Sequence, residues 1–262
     1  MGAPRVLVAD EKRRLEPETQ RRAEELERLA QQEKMAFLGR AAAQVAHEVR
    51  NPLAGLLLYA MHLRGKVADK LTEGELSLID KMVETIHHLA DTTNQVLDFA
   101  RPVKLSPRPT DLNRVLADVL QLLRPQLDAG RVELRVELDE SCTCVVLDEP
   151  SIRSVLMNLA LNAVQAMPGG GALTVRTEAR DGFVNLSVSD EGAGMSQEQV
   201  ENIFEPFYTT KSRGLGLGMP FAQKVVEQHG GAVFVESRPG AGTTVRVRLP
   251  NRREAGADAA AR

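Results

Sequence analysis

The chain has 262 residues, and 33 Lys and Arg against 36 Asp and Glu leave a formal net charge of −3. That length suits one large or two modest domains, and 43% hydrophobic with 26% charged residues is the composition of a folded core, not of a disordered tail. The balanced charge and the absence of Trp argue against a chain built to coat nucleic acid or an anionic membrane.

Two cysteines, Cys142 and Cys144, are too few for a disulfide framework and suit a reducing compartment. Read in a strand, a Cys-x-Cys pair points both thiols to one face, where packing is the expected role. No apolar run approaches the roughly 18 residues of a membrane span, and the start lacks the apolar core of a signal peptide. The expectation is a soluble, cytoplasmic chain.

In chain order, Val6 to Asp10 reads as a short strand with nothing following to pair with it, either the tail of an upstream domain or a frayed terminus. From Glu11 to Lys34, 14 of 24 residues are charged, seven of each sign. Residues 1–34 therefore predict a coiled-coil lead-in or the remnant of an upstream region. From Met35 to about Lys66 the pattern is helical, with a seam of Leu38, Ala42, Val45, Val49, Leu56, Ala60 and Leu63. A second seam, Leu76, Ile79, Val83, Ile86, Ala90, Thr93 and Leu97, alternates three and four. Gly65 and Gly74 bracket a polar turn, so residues 35–101 predict a helical hairpin. One hairpin cannot enclose its seam, and two copies make a four-helix bundle, so a homodimer is expected.

Residues 102–110, with Pro102, Pro107 and Pro109, read as a stiff linker. Residues 111–250 are mixed α/β. Helices are predicted at Asp111–Asp128, Glu149–Met167 and Leu217–His229. Strands are predicted at Arg131–Leu138, Cys144–Leu147, Leu173–Glu178, Phe183–Ser189, Ala232–Glu236 and Thr244–Leu249. Strands sharing one set of helices suggest an α/β sandwich with a mixed sheet. Residues 251–262 predict a disordered tail.

Chemistry concentrates at a few places. His47 lies about 200° round its helix from Val45, away from the seam, with Glu48 adjacent and Gln44 and Asn51 on the same stripe. Pro52 removes an intrahelical bond beside it, so a kink is expected there. An exposed imidazole with a neighbouring carboxylate is either an ordinary surface histidine or a reactive group offered to a partner. His62, His87 and His88 read as face residues of the hairpin, and His229, before Gly230-Gly231, as a helix C-terminal cap.

Asn158 and Asn162 stand four apart in an otherwise apolar helix. A buried unsatisfied amide costs roughly 1–3 kcal/mol, so two on one face are poor filler, and their carbonyl oxygens suit a hard cation such as Mg²⁺. Asp190-Glu191-Gly192-Ala193-Gly194 puts a carboxylate at a strand end with glycines that admit close approach. Gly214-Leu215-Gly216-Leu217-Gly218 opens a helix, a plausible phosphate cradle without the dinucleotide spacing or a Walker lysine. Phe204 to Lys211, between these loops, reads alone as an aromatic hinge.

In this order and spacing the segments resemble the sensor histidine kinases of two-component signalling. His47 to Pro52 looks like their H box, Asn158 to Ala166 the N box and Asp190 to Gly194 the first glycine box. Phe204 to Lys211 looks like the F box, Gly214 to Gly218 the second glycine box, and Gly240 to Thr244 the late Gly-x-Gly-Thr turn. Asn162 to Met167 and Phe99 to Pro102 look most like the nitrogen-regulation branch.

The resemblance implies a dimeric four-helix bundle followed by an α/β sandwich of the Bergerat ATP-binding type. It implies autophosphorylation of His47 from ATP and transfer to an aspartate in the receiver domain of a response regulator. Glu48 would act as general base, and Asn51 matches the residue that positions water when such kinases dephosphorylate their regulators. Asn158 and Asn162 would hold Mg²⁺, and Asp190 would accept from the adenine amine. Gly192, Gly194 and Thr243 would complete the nucleotide site. Phe204, Lys211, Gly214, Leu215, Gly216, Leu217 and Gly218 would form a lid near the phosphates.

Three positions depart from the family pattern. Gln165 stands where many relatives carry a basic residue near the phosphates, although the nitrogen-type branch often shows Gln; Leu215 replaces a small or hydroxyl residue, and Pro220 falls in the first turn of the next helix. Two other classes stay open: a dimeric scaffold that holds ATP without transferring it or acts mainly as a phosphatase, and the other ATPases of this nucleotide fold, which would leave the hairpin idle.

Overall fold

A computed structural model describes residues 49, 52–65, 72–100, 104–211 and 214–251. His47, Glu48 and Asn51 lie outside these residues, as do the lead-in and residues 252–262 of the expected tail, whose first residue, Asn251, is held by its N–H donating to Gly182 O at 2.8 Å. The chain divides into two compact units, Met1–Pro102 and Val103–Arg262.

In the first unit, residues 52–65 form helix α1 and Glu73–Ala100 form α2. A capping box starts α2: Thr72 N–H donates to Glu75 Oε2 at 2.8 Å, and Glu75 N–H donates to Thr72 Oγ1 at 3.4 Å. The α2 seam faces inward as its spacing predicts, with Ile79 and Leu97 buried. The α1 seam is different. Leu53 is buried and Leu57 and Ala60 are half-buried, whereas the expected members Leu56 and Leu63 are 52% and 50% exposed. With apolar residues at 53, 57 and 60 and also at 56, 59 and 63, α1 is apolar round more than half its girth, and periodicity alone cannot choose a face.

The second unit is a two-layer α/β sandwich. Strands β2 (Val132–Glu137), β4 (Gly171–Arg180), β5 (Phe183–Asp190), β6 (Ala232–Ser237) and β7 (Thr243–Pro250) form one sheet in the order β2-β4-β5-β7-β6. β2 and β4 are parallel and the other pairs antiparallel. Strict alternation along β5 and β7 buries Val184, Leu186, Val188, Val245, Val247 and Leu249, and the other face of these strands is polar. Helices α3 (Leu112–Leu122), α5 (Glu149–Gln165) and α7 (Gly218–Gln228) supply the facing apolar surface, including Leu116, Val119, Leu156, Leu159, Ala222 and Val225.

Four elements differ from the sequence reading. The helix expected at 111–128 breaks at Leu123 into α3 and α4 (Arg124–Gly130), because Pro125 has no N–H to continue the ladder. Within the expected linker, β1 (Arg108–Thr110) pairs antiparallel with β3 (Val145–Leu147). Pro109 is tolerated there because the pair is a two-stranded edge. Cys142 lies in a 3-10 turn, Glu140–Thr143, so Cys142 is buried and Cys144 exposed, not side by side. A short helix α6 (Gln197–Asn202) follows a full capping box of Ser196 and Gln199. That Ser-x-x-Gln signal was present in the sequence. Among the described residues, no helix is long and apolar enough to cross a membrane.

Candidate functional site

Helix α5 carries one wall of the site. Asp148 caps it, its Oδ2 accepting from Ser151 N–H at 3.1 Å, and Pro150 falls in the first turn where its missing N–H leaves no bond unmade. Ile152, Val155, Leu156, Leu159, Ala160 and Ala163 form the buried stripe. Asn158 and Asn162 fall on its flank, half-buried. A β-carbon placed on Gly218, the first residue of α7, would lie 3.6 Å from Asn158 Oδ1 and 3.7 Å from Asn162 Nδ2. Both asparagines therefore meet the N-terminus of α7, where free backbone N–H groups favour anions. Pro220 is buried inside that first turn without disturbing it, and Phe221 N–H makes a bond to Leu217 O at 3.0 Å.

The floor is the end of β5. The Asp190 carboxylate accepts from Gly192 N–H at 2.9 Å and from the backbone N–H of Thr243. Burial pushes its carboxyl above the usual carboxylate range, against the pull of those two donors and of the Lys211 ammonium. Gly192 and Gly194 lie in the turn that follows, where Ala193 N–H donates to Ala166 O at 3.1 Å, tying this loop to the end of α5. Gly242 has φ 76°, and a β-carbon there would overlap the Asp190 carbonyl. Thr243 is buried, its Oγ1 2.9 Å from Ser237 Oγ, which in turn accepts from Met195 N–H at 2.8 Å. Ser237 thus links both glycine turns; nothing local in the sequence marked it.

The third wall runs from Phe204 to Leu217. Phe204 is half-buried, Phe207 is 54% exposed with φ 69°, and Leu217 is buried. Phe207 N–H donates to Gly216 O at 3.2 Å, bringing the two ends of the segment together. Gly216, at φ 67°, packs where any β-carbon would overlap the Tyr208 carbonyl. Gly214 and Leu215 lie between, exposed and half-buried. Lys211 reaches across to α5: its Nζ donates to Asn162 Oδ1 at 2.9 Å and to Gln165 Oε1 at 2.7 Å. Burial lowers the Lys211 ammonium from the ordinary lysine value, while Asp190 opposes that shift. Gln165, a departure from the family pattern by sequence, is thereby brought into the site.

The arrangement brings two amide oxygens, a helix N-terminus and one ammonium group together, with the recessed Asp190 carboxylate within electrostatic reach of that ammonium. That set can hold a polyanion bearing a hydrogen-bond donor at its far end.

Comparison with known proteins assigns both units to a class. Residues 37–103 match the His Kinase A (phospho-acceptor) domain, and residues 147–253 match the histidine kinase-, DNA gyrase B-, and HSP90-like ATPases. In these two stretches the chain carries a histidine kinase phospho-acceptor domain followed by an ATPase domain of the histidine kinase-like kind. It is 36% identical over 225 residues to the sensor histidine kinase ZraS of Klebsiella oxytoca, covering 86% of this chain and 48% of that protein. It is 34% identical over 230 residues to the signal transduction histidine-protein kinase AtoS of Escherichia coli, covering 87% of this chain and 37% of that protein. The chain thus spans about half or less of the length of the curated relatives it matches.

Full-length ShkA in complex with AMPPNP is similar with a TM-score of 0.68 and 30% identity, over 80% of this chain and 45% of that one. The histidine kinase ThkA in complex with the response regulator TrrA is similar with a TM-score of 0.62 and 26% identity. That match covers 85% of this chain and 65% of that one.

Proposed function

We propose that the chain autophosphorylates His47 from ATP and passes the phosphoryl group to an aspartate on a response regulator receiver domain, with phosphatase activity toward the same regulator. The observation that carries this reading is the convergence of Asn158, Asn162 and the α7 N-terminus, joined by Lys211, whose ammonium acts on the recessed Asp190 carboxylate. A nucleotide fits it at both ends: an adenine amine to donate to Asp190, and a triphosphate to meet the α7 N–H groups. The likeness to ShkA with AMPPNP and to ThkA with its regulator supports the two partners.

Phosphoryl transfer of this kind is positioning plus charge neutralisation. The chain's own groups divide the work. Asp190, held by Gly192 and Thr243, fixes the base; Gly192 and Gly194 let backbone approach it. Gly214 to Gly218, with Leu215 and Leu217 packing the turn and Phe204 anchoring its start, enclose the phosphates. Lys211 adds positive charge beside them. His47 attacks the γ-phosphorus through a nitrogen that Glu48 keeps unprotonated, the bond from that phosphorus to the β–γ bridging oxygen breaks and ADP leaves. Asn51 orients the water that hydrolyses the regulator's phosphoaspartate to aspartate and phosphate.

The donor set also fits Mg²⁺. Asn162 Oδ1 already accepts from a cation, the Lys211 ammonium, and Asn158 presents a second amide oxygen one turn away. Bound there, the metal would neutralise charge developing on the phosphates.

Dimerisation through the hairpin belongs to the same reading. Leu56, Tyr59, Leu63, Leu78, Met82 and Leu89 are exposed apolar residues on α1 and α2, more than one hairpin can cover. Membership of the nitrogen-regulation branch rests on the Asn162–Met167 and Phe99–Pro102 stretches.

The test is labelling with γ-phosphate-labelled ATP and Mg²⁺, comparing the chain with His47→Ala. Acid-labile, alkali-stable label that disappears in the variant is the expected result. Steady phosphate release that survives His47→Ala would instead assign the chain to the ATPases sharing the fold.

A further inference from the structure

Gln165 is not among the groups assigned to the nucleotide, yet it makes the shortest bond to the lid lysine. Lys211 Nζ lies 2.7 Å from Gln165 Oε1 and 2.9 Å from Asn162 Oδ1, across 46 and 49 residues of chain respectively. Two amide oxygens on successive positions of one helix face thus converge on a single cation. Thr209 Oγ1 accepts the Lys211 backbone N–H at 3.1 Å, so the lysine leaves its loop from a fixed point. Asp190 is the charged group that acts on this ammonium.

An amide oxygen engaged by an ammonium at this distance cannot at the same time take a metal ion. Two cations in direct contact with one small oxygen would repel strongly. We infer that Gln165 is the seat of a latch: with Asn162 it holds Lys211, so that this lysine is a tethered competitor of the divalent cation for Asn162 Oδ1. The inference rests on the proposed ATP–Mg²⁺ site and adds a role to a residue outside it. A basic side chain at position 165 would repel Lys211, whereas an uncharged acceptor retains it.

The latch makes the metal-competent form only a fraction of the protein, and apparent affinity falls by that fraction. Metal-free nucleotide leaves Asn162 to Lys211 and does not feel the latch. The measurement is the dissociation constant of AMPPNP on the full chain, by calorimetry, once with Mg²⁺ and once with chelator. The quantity read is the ratio of the two. Gln165→Leu is expected to raise the preference for the Mg²⁺ form about three- to tenfold, the effect of one charge-assisted hydrogen bond on an exposed residue. Lys211→Met raises the same ratio, while the positive charge it removes from beside the phosphates lowers absolute affinity alike in both conditions and cancels from the ratio. In the Lys211→Met background, Gln165→Leu changes nothing further.

An equal effect of Gln165→Leu in both backgrounds would overturn the latch, because Gln165 would then act directly on nucleotide or metal. A lower ratio in Gln165→Leu would overturn it too. If AMPPNP binds in neither condition to any variant, the nucleotide reading itself fails, a result separate from failure of the latch. Gln165 is exposed at the end of α5, so its replacement leaves the buried core intact.

Discussion

The backbone N–H of Asp148 donates to Nε2 of His229 at 3.0 Å, across 81 residues of chain. The other ring nitrogen, Nδ1, lies 2.8 Å from the Val225 carbonyl, one turn back in α7. With Nδ1 donating and Nε2 accepting, a single neutral imidazole caps the end of α7 and satisfies the residue that caps the start of α5. The same Asp148 also accepts from Ser106 N–H at 3.0 Å, so the entry of the chain into the α/β unit is tied to this point.

Replacing that ring strands a buried donor. His229→Ala is expected to destabilise the α/β unit by about 1–3 kcal/mol, the penalty for a buried N–H without a partner. Hydrogen exchange of the Asp148 and Ser151 amides is the direct check. Unchanged protection would mean the imidazole does not hold the α5 cap.

Asp190 is expected to show opposite effects on stability and binding. Its folded value is raised by burial, so its contribution to stability is full below the unfolded carboxylate value and is lost as pH rises through the raised one. At neutral pH the ionised group therefore opposes folding. Asp190→Asn should melt no lower than the parent without nucleotide, while AMPPNP binding weakens about 10- to 100-fold through loss of a charged acceptor. Paired melting curves and titrations separate the two effects.

A different carboxylate stabilises. Asp139 accepts from Ala179 N–H at 2.9 Å and from both the N–H and hydroxyl of Ser141, and these donors hold its carboxyl down to about 2. Its contribution is present above the unfolded value and disappears as pH falls through about 2. Asp139→Ala should lower the urea midpoint at pH 7 and flatten its acid dependence in that window. The same slope in both proteins would assign the acid transition to other groups.

The two glycines of the late turn are expected to differ sharply. Both have left-handed backbone, φ 76° at Gly242 and φ 74° at Gly240, but a β-carbon on Gly240 meets open space. Gly240→Ala should therefore cost only about 1 kcal/mol, from backbone alone. Gly242→Ala drives its methyl into the Asp190 carbonyl, so a cost of at least about 2 kcal/mol and a loss of nucleotide binding should follow. Urea unfolding and AMPPNP titration of both variants provide the comparison.

Asn162 provides the sharpest separation of metal from nucleotide. Asn162→Ala removes an oxygen that Lys211 holds at 2.9 Å, so the Mg²⁺ enhancement of AMPPNP binding should fall about tenfold or more. Chelated binding should stay within about threefold of the parent, since Asp190 and the α7 N-terminus are untouched. An equal loss in both conditions would make Asn162 a ligand of the nucleotide itself.

Local pattern determined much of this protein. The strict three-four seam of α2, the alternation of β5 and β7, the apolar stripe of α5 with its two asparagines, and the glycine turns each follow from residues near one another in sequence. Their order along the chain was enough to show the likeness to histidine kinases. Pro125 and the Ser196–Gln199 capping box were equally legible signals, though the break and the short helix they mark emerged only with the fold.

The pairing of distant residues was decided by tertiary structure alone. Periodicity could not choose between the 53-57-60 and 56-59-63 faces of α1, since both are apolar and burial depends on what packs opposite. Nor does any local rule bring Ser237 between two glycine turns, His229 onto Asp148, or Lys211 onto Gln165. These contacts arise where β-strand register and helix packing bring together segments dozens of residues apart. Side-chain hydrogen bonds reach only about 3 Å, so their partners are set by that geometry and leave no trace in spacing.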